Sequence, residues 1–232
     1  MNTLRLPYIV ILTWLCMPFS LTGQDAESLL QKVRAKLDKV NSYEASGTMK
    51  TNVTFLKVPE ASVKIYFRKP NDLRIRNEKG LSFVPKGAVT VNLNSIVNAG
   101  AYTAIDAGYD RSNGKVTRVV KLLPADDNAD VVLSTLYIDE QEALILKAKT
   151  TTRDNGSYQL DMQYGKYVAW GLPDKLLFTF NTRDYKLPKG VTFDFDDGST
   201  TSSTANREKT GRAEILFSQY IINKSLPDQL FK

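Results

Sequence analysis

Residues 63–76 read VKIYFRKPNDLRIR. Val63, Ile65 and Phe67 alternate with Lys64, Tyr66 and Arg68; beyond Lys69-Pro70-Asn71-Asp72, Leu73 and Ile75 alternate with Arg74 and Arg76. Successive strand residues point to opposite faces, so this period of two predicts two strands joined at a proline turn, one face apolar and the other basic. The same period returns at Leu144, Leu146 and Ala148, and at Tyr158, Leu160, Met162 and Tyr164, which alternate with Gln159, Asp161 and Gln163. It continues through Leu176, Phe178 and Phe180, then Val191, Phe193 and Phe195, then Ile215 and Phe217. Turn signals separate these runs: KPND, SNGK, RDNGS and LPKG. Asn113-Gly114 and Asn155-Gly156 suit hairpin tips, because both residues tolerate positive φ. Short alternating strands joined by hairpins predict one large antiparallel sheet, in a mainly β fold.

One segment departs from this pattern with a helical period. From Asp25, which can cap a first turn, Leu29, Leu30, Val33, Leu37 and Val40 recur at spacings of three and four, with Lys32, Arg34, Lys36 and Lys39 largely on the other side. Residues 88–108 mix small and apolar residues and predict a short helix or a loop. Residues 196–208, DDGSTTSSTANRE, predict a mobile hairpin loop. A single long helix cannot cover so many apolar strand faces. The sheet is therefore expected to curl over itself and to enclose a cavity or groove lined by Phe, Tyr, Leu and Met, suited to an apolar ligand. The same side chains could equally fill a solid core.

Composition narrows the chemistry. The 232 residues carry a formal net charge of +6 and are 42% hydrophobic, enough to build a core. Arg5, an apolar run from Leu6 to Leu21 and a polar onset at TGQDAES describe a secretory signal peptide cleaved near Gly23, spanning residues 1–23. Pro7 and Pro18 and the short run argue against a membrane anchor, and nothing later is apolar for long enough to span a bilayer. The exported chain, residues 24–232, is read as one domain with a charge of +5 once Arg5 is gone. Basic and aromatic residues are not clustered as in a nucleic-acid reader. The only cysteine, Cys16, follows the bulky Trp14 and Leu15 and is read as signal-peptide core and not as a lipid-attachment site. With no histidine at all and no cysteine beyond residue 23, Cys/His zinc sites, Ser-His-Asp triads and Cys-His pairs are excluded. Asp194, Asp196 and Asp197 in DFDDGS do not have the spacing of an EF-hand loop and read as a polar turn. NVT, NGS and NKS have the form of glycosylation acceptors, a pattern too short to carry weight. No cofactor and no catalytic residue is expected.

LLQKVRAKLDKVNSYEASGTMK, VKIYFRKPNDLRIR and STLYIDEQEALILKAKTTTRDNGSYQLDMQYGKY, in that order, resemble the LolA-type periplasmic lipoprotein carriers. The shared pattern is a helix ending Leu-Asp-Lys-Val, an aromatic residue opening the first strand, a strand ending basic-basic-Pro-Asn, and a later polar hairpin with a Tyr-Gln-Leu strand. YIINKSLPDQLF resembles the strand and tail that close many such proteins. The resemblance implies an incomplete β-barrel with a helical lid, and a periplasmic monomer that shields acyl chains of lipoproteins or lipids between membrane-bound donor and acceptor proteins. The lining expected from it is Ile65, Phe67, Leu73 and Ile75, then Tyr158, Leu160, Met162 and Tyr164, then Phe178, Phe180, Phe193 and Phe217. The basic residue before the proline, Lys69, with Arg68 preceding it, is expected to latch the lid through the lid's backbone. Arginine is the better-known occupant there, and lysine lacks its planar fork. NEKGLSFVPKGAVTV replaces a strand pair usual in the carriers, which implies a narrower or more open barrel and leaves the cargo open. Two other classes stay open: an envelope sensor of the same fold acting through a protein partner, and a carboxylate-dependent hydrolase using Asp194 and Asp196.

Overall fold

The alternation at 63–76 is a hairpin in space. Ile65 stands opposite Ile75 and Phe67 opposite Leu73 on one face, while Lys64 stands opposite Arg76 and Tyr66 opposite Arg74 on the other. The structure, a computed structural model, describes residues 22–53, 56–57, 59–79, 93–97, 101–153, 156–181 and 210–231. The expected strand at Val191–Phe195, the loop at 196–208, most of the signal peptide and most of NEKGLSFVPKGAVTV lie outside them.

In chain order the elements are α1 (Thr22–Leu37), β1 (Ser42–Val53), β2 (Leu56–Lys57), β3 (Ala61–Arg68), β4 (Asp72–Lys79), α2 (Leu93–Val97), β5 (Tyr102–Ser112), β6 (Lys115–Pro124), β7 (Val131–Asp139), β8 (Leu144–Thr152), β9 (Ser157–Gln163), β10 (Lys175–Asn181) and β11 (Thr210–Ile222). Two 3-10 turns, Val168–Trp170 and Asp228–Leu230, complete the described chain. All strands among the described residues join one antiparallel sheet in the order β4-β3-β1-β11-β10-β9-β8-β7-β6-β5, with the short β2 on β1. β4 and β5 are its two edges and do not pair with each other, so the sheet curls without closing: an incomplete barrel.

The chain needs one long-range pairing to do this. β5 to β11 form a continuous meander, and the last strand then pairs with the first, Tyr43 opposite Ile222 and Met49 opposite Ile215. A bulge between Ser46 and Gly47 bends β1 there, and bulges sharpen the local twist that curls a sheet. The connection between the two sheet edges contains α2, part of the region where a short helix or loop was expected; β5 occupies the rest from Tyr102 onward. The Asn113-Gly114 turn between β5 and β6 has φ values of 51° and 78°, the left-handed geometry this dipeptide predicts.

The helix and the sheet divide the interior into two parts. Ala26, Leu29, Leu30, Val33 and Leu37 of α1, with Ile96 and Val97 of α2, pack on Val120, Leu136, Ile145, Leu160, Met162 and Phe178 of the concave face. The spacing that predicted an amphipathic helix is the spacing of these buried residues. The second cluster, Val40, Ala45, Met49, Val63, Ile65, Phe67, Leu172, Ile215 and Tyr220, belongs mainly to β1, β3 and β11. The helix therefore fills one half of the concavity and ends beside the other.

Candidate binding cavity and its clasp

Beside the C-terminal end of α1 the second cluster leaves a cavity of about 100 Å³. Leu37 borders it from the end of the lid helix, Val40 from the loop that follows, Leu93 from α2, and Gly171, Leu172 and Pro173 from the turn before β10. The sheet contributes Tyr43, Ile65, Phe67, Leu73, Ile75, Leu160, Met162, Leu176, Ile215, Phe217 and Tyr220. Their placement follows from register. Tyr43 pairs with Phe67 and Ala45 with Ile65, so alternate residues of β1, β3 and β4 share the concave face.

Aromatic rings hold this wall together. Tyr43 stacks on Phe67 with ring centroids 5.2 Å apart and meets Tyr220 edge-on at 5.3 Å. Tyr220 also stacks on Phe217 at 4.9 Å and meets Tyr167 edge-on at 4.8 Å. These are the offset and T-shaped arrangements that the ring quadrupoles favour. The Tyr220 hydroxyl donates to the Pro173 carbonyl at 2.8 Å, and the Tyr167 hydroxyl accepts from the Tyr220 N–H at 3.2 Å. Burial pushes the Tyr43 and Tyr220 hydroxyls well above the usual phenol range, so both remain protonated donors.

Seven of the twelve residues expected to line a cavity do line this one: Ile65, Phe67, Leu73, Ile75, Leu160, Met162 and Phe217. The structure places four others elsewhere. Phe178 and Phe180 stack at 5.3 Å within the lid-covered cluster, and Tyr158 packs on Phe178 at 5.6 Å. Tyr158 and Phe180 also edge a separate open depression at the far ends of β8 to β11. Tyr164 lies beneath α1, its hydroxyl donating to the Ile145 carbonyl at 2.9 Å. Phe193 falls outside the described residues, as do Asp194, Asp196 and Asp197. Sequence reasoning missed Tyr43, Leu172, Leu176 and Tyr220. In β1 the alternation is disguised, because Ala45 and Gly47 occupy inward positions between Tyr43 and Met49.

The basic stretch around Pro70 has two separate tasks. Lys69 Nζ donates to the Asp38 carbonyl at 2.9 Å and to its carboxylate at 2.9 Å, while the Lys69 N–H donates to the Asn41 carbonyl at 2.9 Å. These are the residues that leave α1 and enter β1, so Lys69 grips the lid at its hinge. Asn223, the first residue after β11, grips the same loop: its side chain donates to the Lys39 carbonyl at 3.0 Å and accepts from the Asn41 N–H at 2.8 Å. Asn223 adopts a φ of 57°, a left-handed conformation that asparagine accepts more readily than most residues.

Arg68 does not latch the lid. Its guanidinium bonds Asp228 at 2.5 Å and Asp72 at 2.9 Å and lies 4.6 Å from the Phe231 ring centroid, so it holds the C-terminal tail. Arg76 adds a bond to the Leu230 carbonyl at 3.3 Å. The physical reason is strand alternation. Arg68 and Arg76 point to the convex face, where the tail runs, whereas Lys69 lies past the strand end and reaches round to the helix. The lid itself is tied further along by Arg34 to the Val97 carbonyl at 2.9 Å and by Lys36 to the Glu142 carbonyl.

Among the described residues no helix is long and apolar enough to cross a membrane, and no group of three or more Asp or Glu side chains could hold a metal ion.

No family model matches the sequence, and no curated protein matches it. Solved structures do match in fold. An outer membrane lipoprotein-sorting protein domain from Vibrio parahaemolyticus superimposes with a TM-score of 0.57 at 10% identity, covering 90% of this chain and 97% of that one. A DUF1329 family protein from Desulfovibrio piger gives 0.54 at 14% identity, covering 90% and 97%. A LolA superfamily protein from Nitrosomonas europaea gives 0.53 at 11% identity, covering 89% and 97%. The chain thus has the LolA-like fold along nearly its whole length.

Proposed function

We propose that this protein is a non-enzymatic periplasmic carrier that takes the acyl chains of lipoproteins or lipids into the space between the curled sheet and α1. The observation that supports this reading most directly is an apolar cavity bordered by a helix whose hinge is clasped by side chains that follow the ends of β3 and β11. An acyl chain in water costs about 0.8 kcal/mol for each exposed methylene, so an aqueous transit needs an apolar sheath. The fold shared with a lipoprotein-sorting domain fits that task.

The cavity as it stands is the closed state of such a device. A volume of about 100 Å³ is small beside the roughly 300–1,000 Å³ of typical ligand pockets, so cargo enters only if the lid moves. Leu29, Leu30 and Val33 of the lid cover the face to which Phe178 and Phe180 belong. Swinging α1 away would join that face to the cavity and give one long apolar trough. Both groups of expected lining residues then serve the cargo once the lid has opened. Cargo leaves when a membrane-bound acceptor offers a better site, and the lid closes over the emptied face.

Native mass spectrometry of the exported chain, purified from cell envelopes without detergent, tests this. Acyl-bearing adducts are expected, and Leu73→Trp, which fills the cavity from the edge strand β4, is expected to remove them while the protein stays folded. A cleanly apo protein that also refuses added lipid and lipopeptide would sink the carrier reading.

A further inference from the structure

The turn between β9 and β10 carries Trp170, the only tryptophan beyond residue 23, and leaves it 36% exposed. The backbone of this turn is fixed. The Tyr167 ring meets Tyr220 edge-on at 4.8 Å, the Trp170 N–H donates to the Tyr167 carbonyl at 2.9 Å, and Gly171 closes the turn with a φ of 66°. Gly171 also lets the turn sit against the lid, since a Cβ there would stand 3.2 Å from the Leu37 side chain and 3.5 Å from that of Lys36. The next residues, Leu172 and Pro173, wall the cavity. An indole joins a large apolar body to one polar N–H, the combination that settles at a membrane–water interface.

The free charge beside this turn has one sign. Lys32, Lys36 and Lys39 follow one another at spacings of four and three. The helical turn continues past Leu37 through the Asp38 N–H to the Arg34 carbonyl at 2.7 Å and the Lys39 N–H to the Lys36 carbonyl at 3.3 Å, so the three lysines share one side of the lid. Lys166 opens the Trp170 turn itself. Lys32, Lys39 and Lys166 are exposed, and no ion pair ties them among the described residues. The nearby carboxylates are engaged: Asp38 with Lys69 at 2.9 Å, Glu142 with Lys36 at 3.8 Å, and Asp174 with the Lys166 N–H at 3.0 Å. Like charges at i and i+4 slightly destabilise a helix, so Lys32 and Lys36 do not serve the lid's own stability.

We propose that this face docks on a membrane surface bearing anionic phospholipid headgroups. Trp170 sits at headgroup level, and Lys32, Lys39 and Lys166 meet the phosphates around it. The inference goes beyond the carrier reading and does not depend on what the cavity holds. The choice of basic residue favours a lipid surface over an acidic protein. Lysine is a hydrated point charge on a flexible stem, suited to mobile headgroups, whereas defined carboxylate pairing suits the arginine fork. Arg34, the arginine of this part of the helix, is turned to the Val97 carbonyl and to Glu27. Docking in this way sets the lid hinge, and the cavity wall from Gly171 to Pro173, against the bilayer.

Trp170 reports on its own docking. The exported chain is mixed with vesicles of equal parts phosphatidylglycerol and phosphatidylcholine, and with vesicles of phosphatidylcholine alone. Tryptophan emission is expected to shift to the blue, and the protein to pellet, with the anionic vesicles only, and high salt should reverse both. Replacing Lys32, Lys39 and Lys166 together by Gln should weaken pelleting by roughly fivefold for each lysine removed. Replacing Lys50, Lys121 and Lys149, exposed on the convex face, lowers the net charge equally and should leave binding near the wild-type level. Trp170→Ala should weaken pelleting by about tenfold, the worth of the indole surface it withdraws. The lysine variants keep the fluorophore, so they decide the matter even if Trp170→Ala folds poorly. Pelleting without a blue shift overturns the proposal, as does an equal loss in the two lysine variants, because either would mean diffuse attraction of a basic protein. Absence of both signals with anionic vesicles overturns it as well and leaves an acidic protein surface as the occupant of this face. None of these outcomes touches the carrier reading, which is tested by adducts in the cavity.

Discussion

Lys69 Nζ lies 2.9 Å from the carbonyl oxygen of Asp38, so one ammonium group ties the end of β3 to the first residue beyond the lid helix. Its neighbour Arg68 turns to the opposite face of the sheet and binds Asp228 of the C-terminal tail. Two adjacent basic residues thus hold two different movable parts.

Lys69→Ala is expected to loosen the lid without unfolding the protein. The ion pair with Asp38 is solvent-accessible on both sides, and such pairs contribute about 0–1 kcal/mol, so the loss in global stability stays within that range. Amide hydrogen exchange in residues 26–40 should nevertheless quicken, because local opening draws on the contacts that pin the hinge. Arg68→Ala should leave that segment as it is and deprotect residues 226–231 instead. Equal acceleration of the lid in both variants would mean that tail and lid form one clasp, contrary to the separation of their contacts.

Much of the sheet was legible because antiparallel strands with one face on the core alternate cleanly. Leu160 and Met162 are buried while Gln163 is exposed, as the period of two requires. β6 and β7 escaped the same reading. Val119 and Val120 are buried in succession, as are Leu136, Tyr137 and Ile138. The convex side of this region is covered too: the ammonium groups of Lys147 and Lys149 lie 5.1 and 5.5 Å from the Tyr137 ring centroid. Burial on both faces erases the alternation. The cavity was legible only as a set of candidate residues, since which half of the concave face stays open depends on where α1 docks. Phe178 and Phe217 look alike in the sequence, yet one lies in the lid-covered cluster and the other faces the cavity. The Arg68 and Lys69 difference was likewise hidden, because it turns on the residue at which the strand ends.

Gly47→Ala should destabilise the protein by roughly 1–3 kcal/mol, the usual cost of forcing an extra methyl group into a packed site. At the β1 bulge a Cβ on residue 47 would stand 2.4 Å from the Leu216 carbonyl oxygen, a backbone atom that cannot swing aside. The β1–β11 pairing that joins the two ends of the described chain would have to part locally. Urea unfolding with an unchanged slope and a lower midpoint is the expected result. A midpoint equal to the wild type would show that the two strands can separate there at no cost.

Asp139 makes the acid limb of stability partly a local matter. Burial alone would raise its pKa, but Lys115 Nζ at 2.7 Å and the N–H groups of Gln141 and Glu142 at 3.1 and 3.3 Å pull it below the usual carboxylate range. A carboxyl group whose pKa is depressed by folding binds a proton more readily in the unfolded chain. Its contribution is therefore fully present above the unfolded value of about 4, and is lost as the pH falls through the lower folded value. Asp139→Asn should be less stable than the wild type at pH 7. It should also lose less stability than the wild type between about pH 4 and pH 2, where only the wild-type carboxylate takes up its proton. Urea midpoints at pH 7, 5, 3.5 and 2.5 compare the two chains, and the gap between them is expected to narrow as the pH drops below 4. Parallel curves down to the lowest pH would mean that the Lys115 and backbone donors do not distinguish the folded carboxylate from the unfolded one.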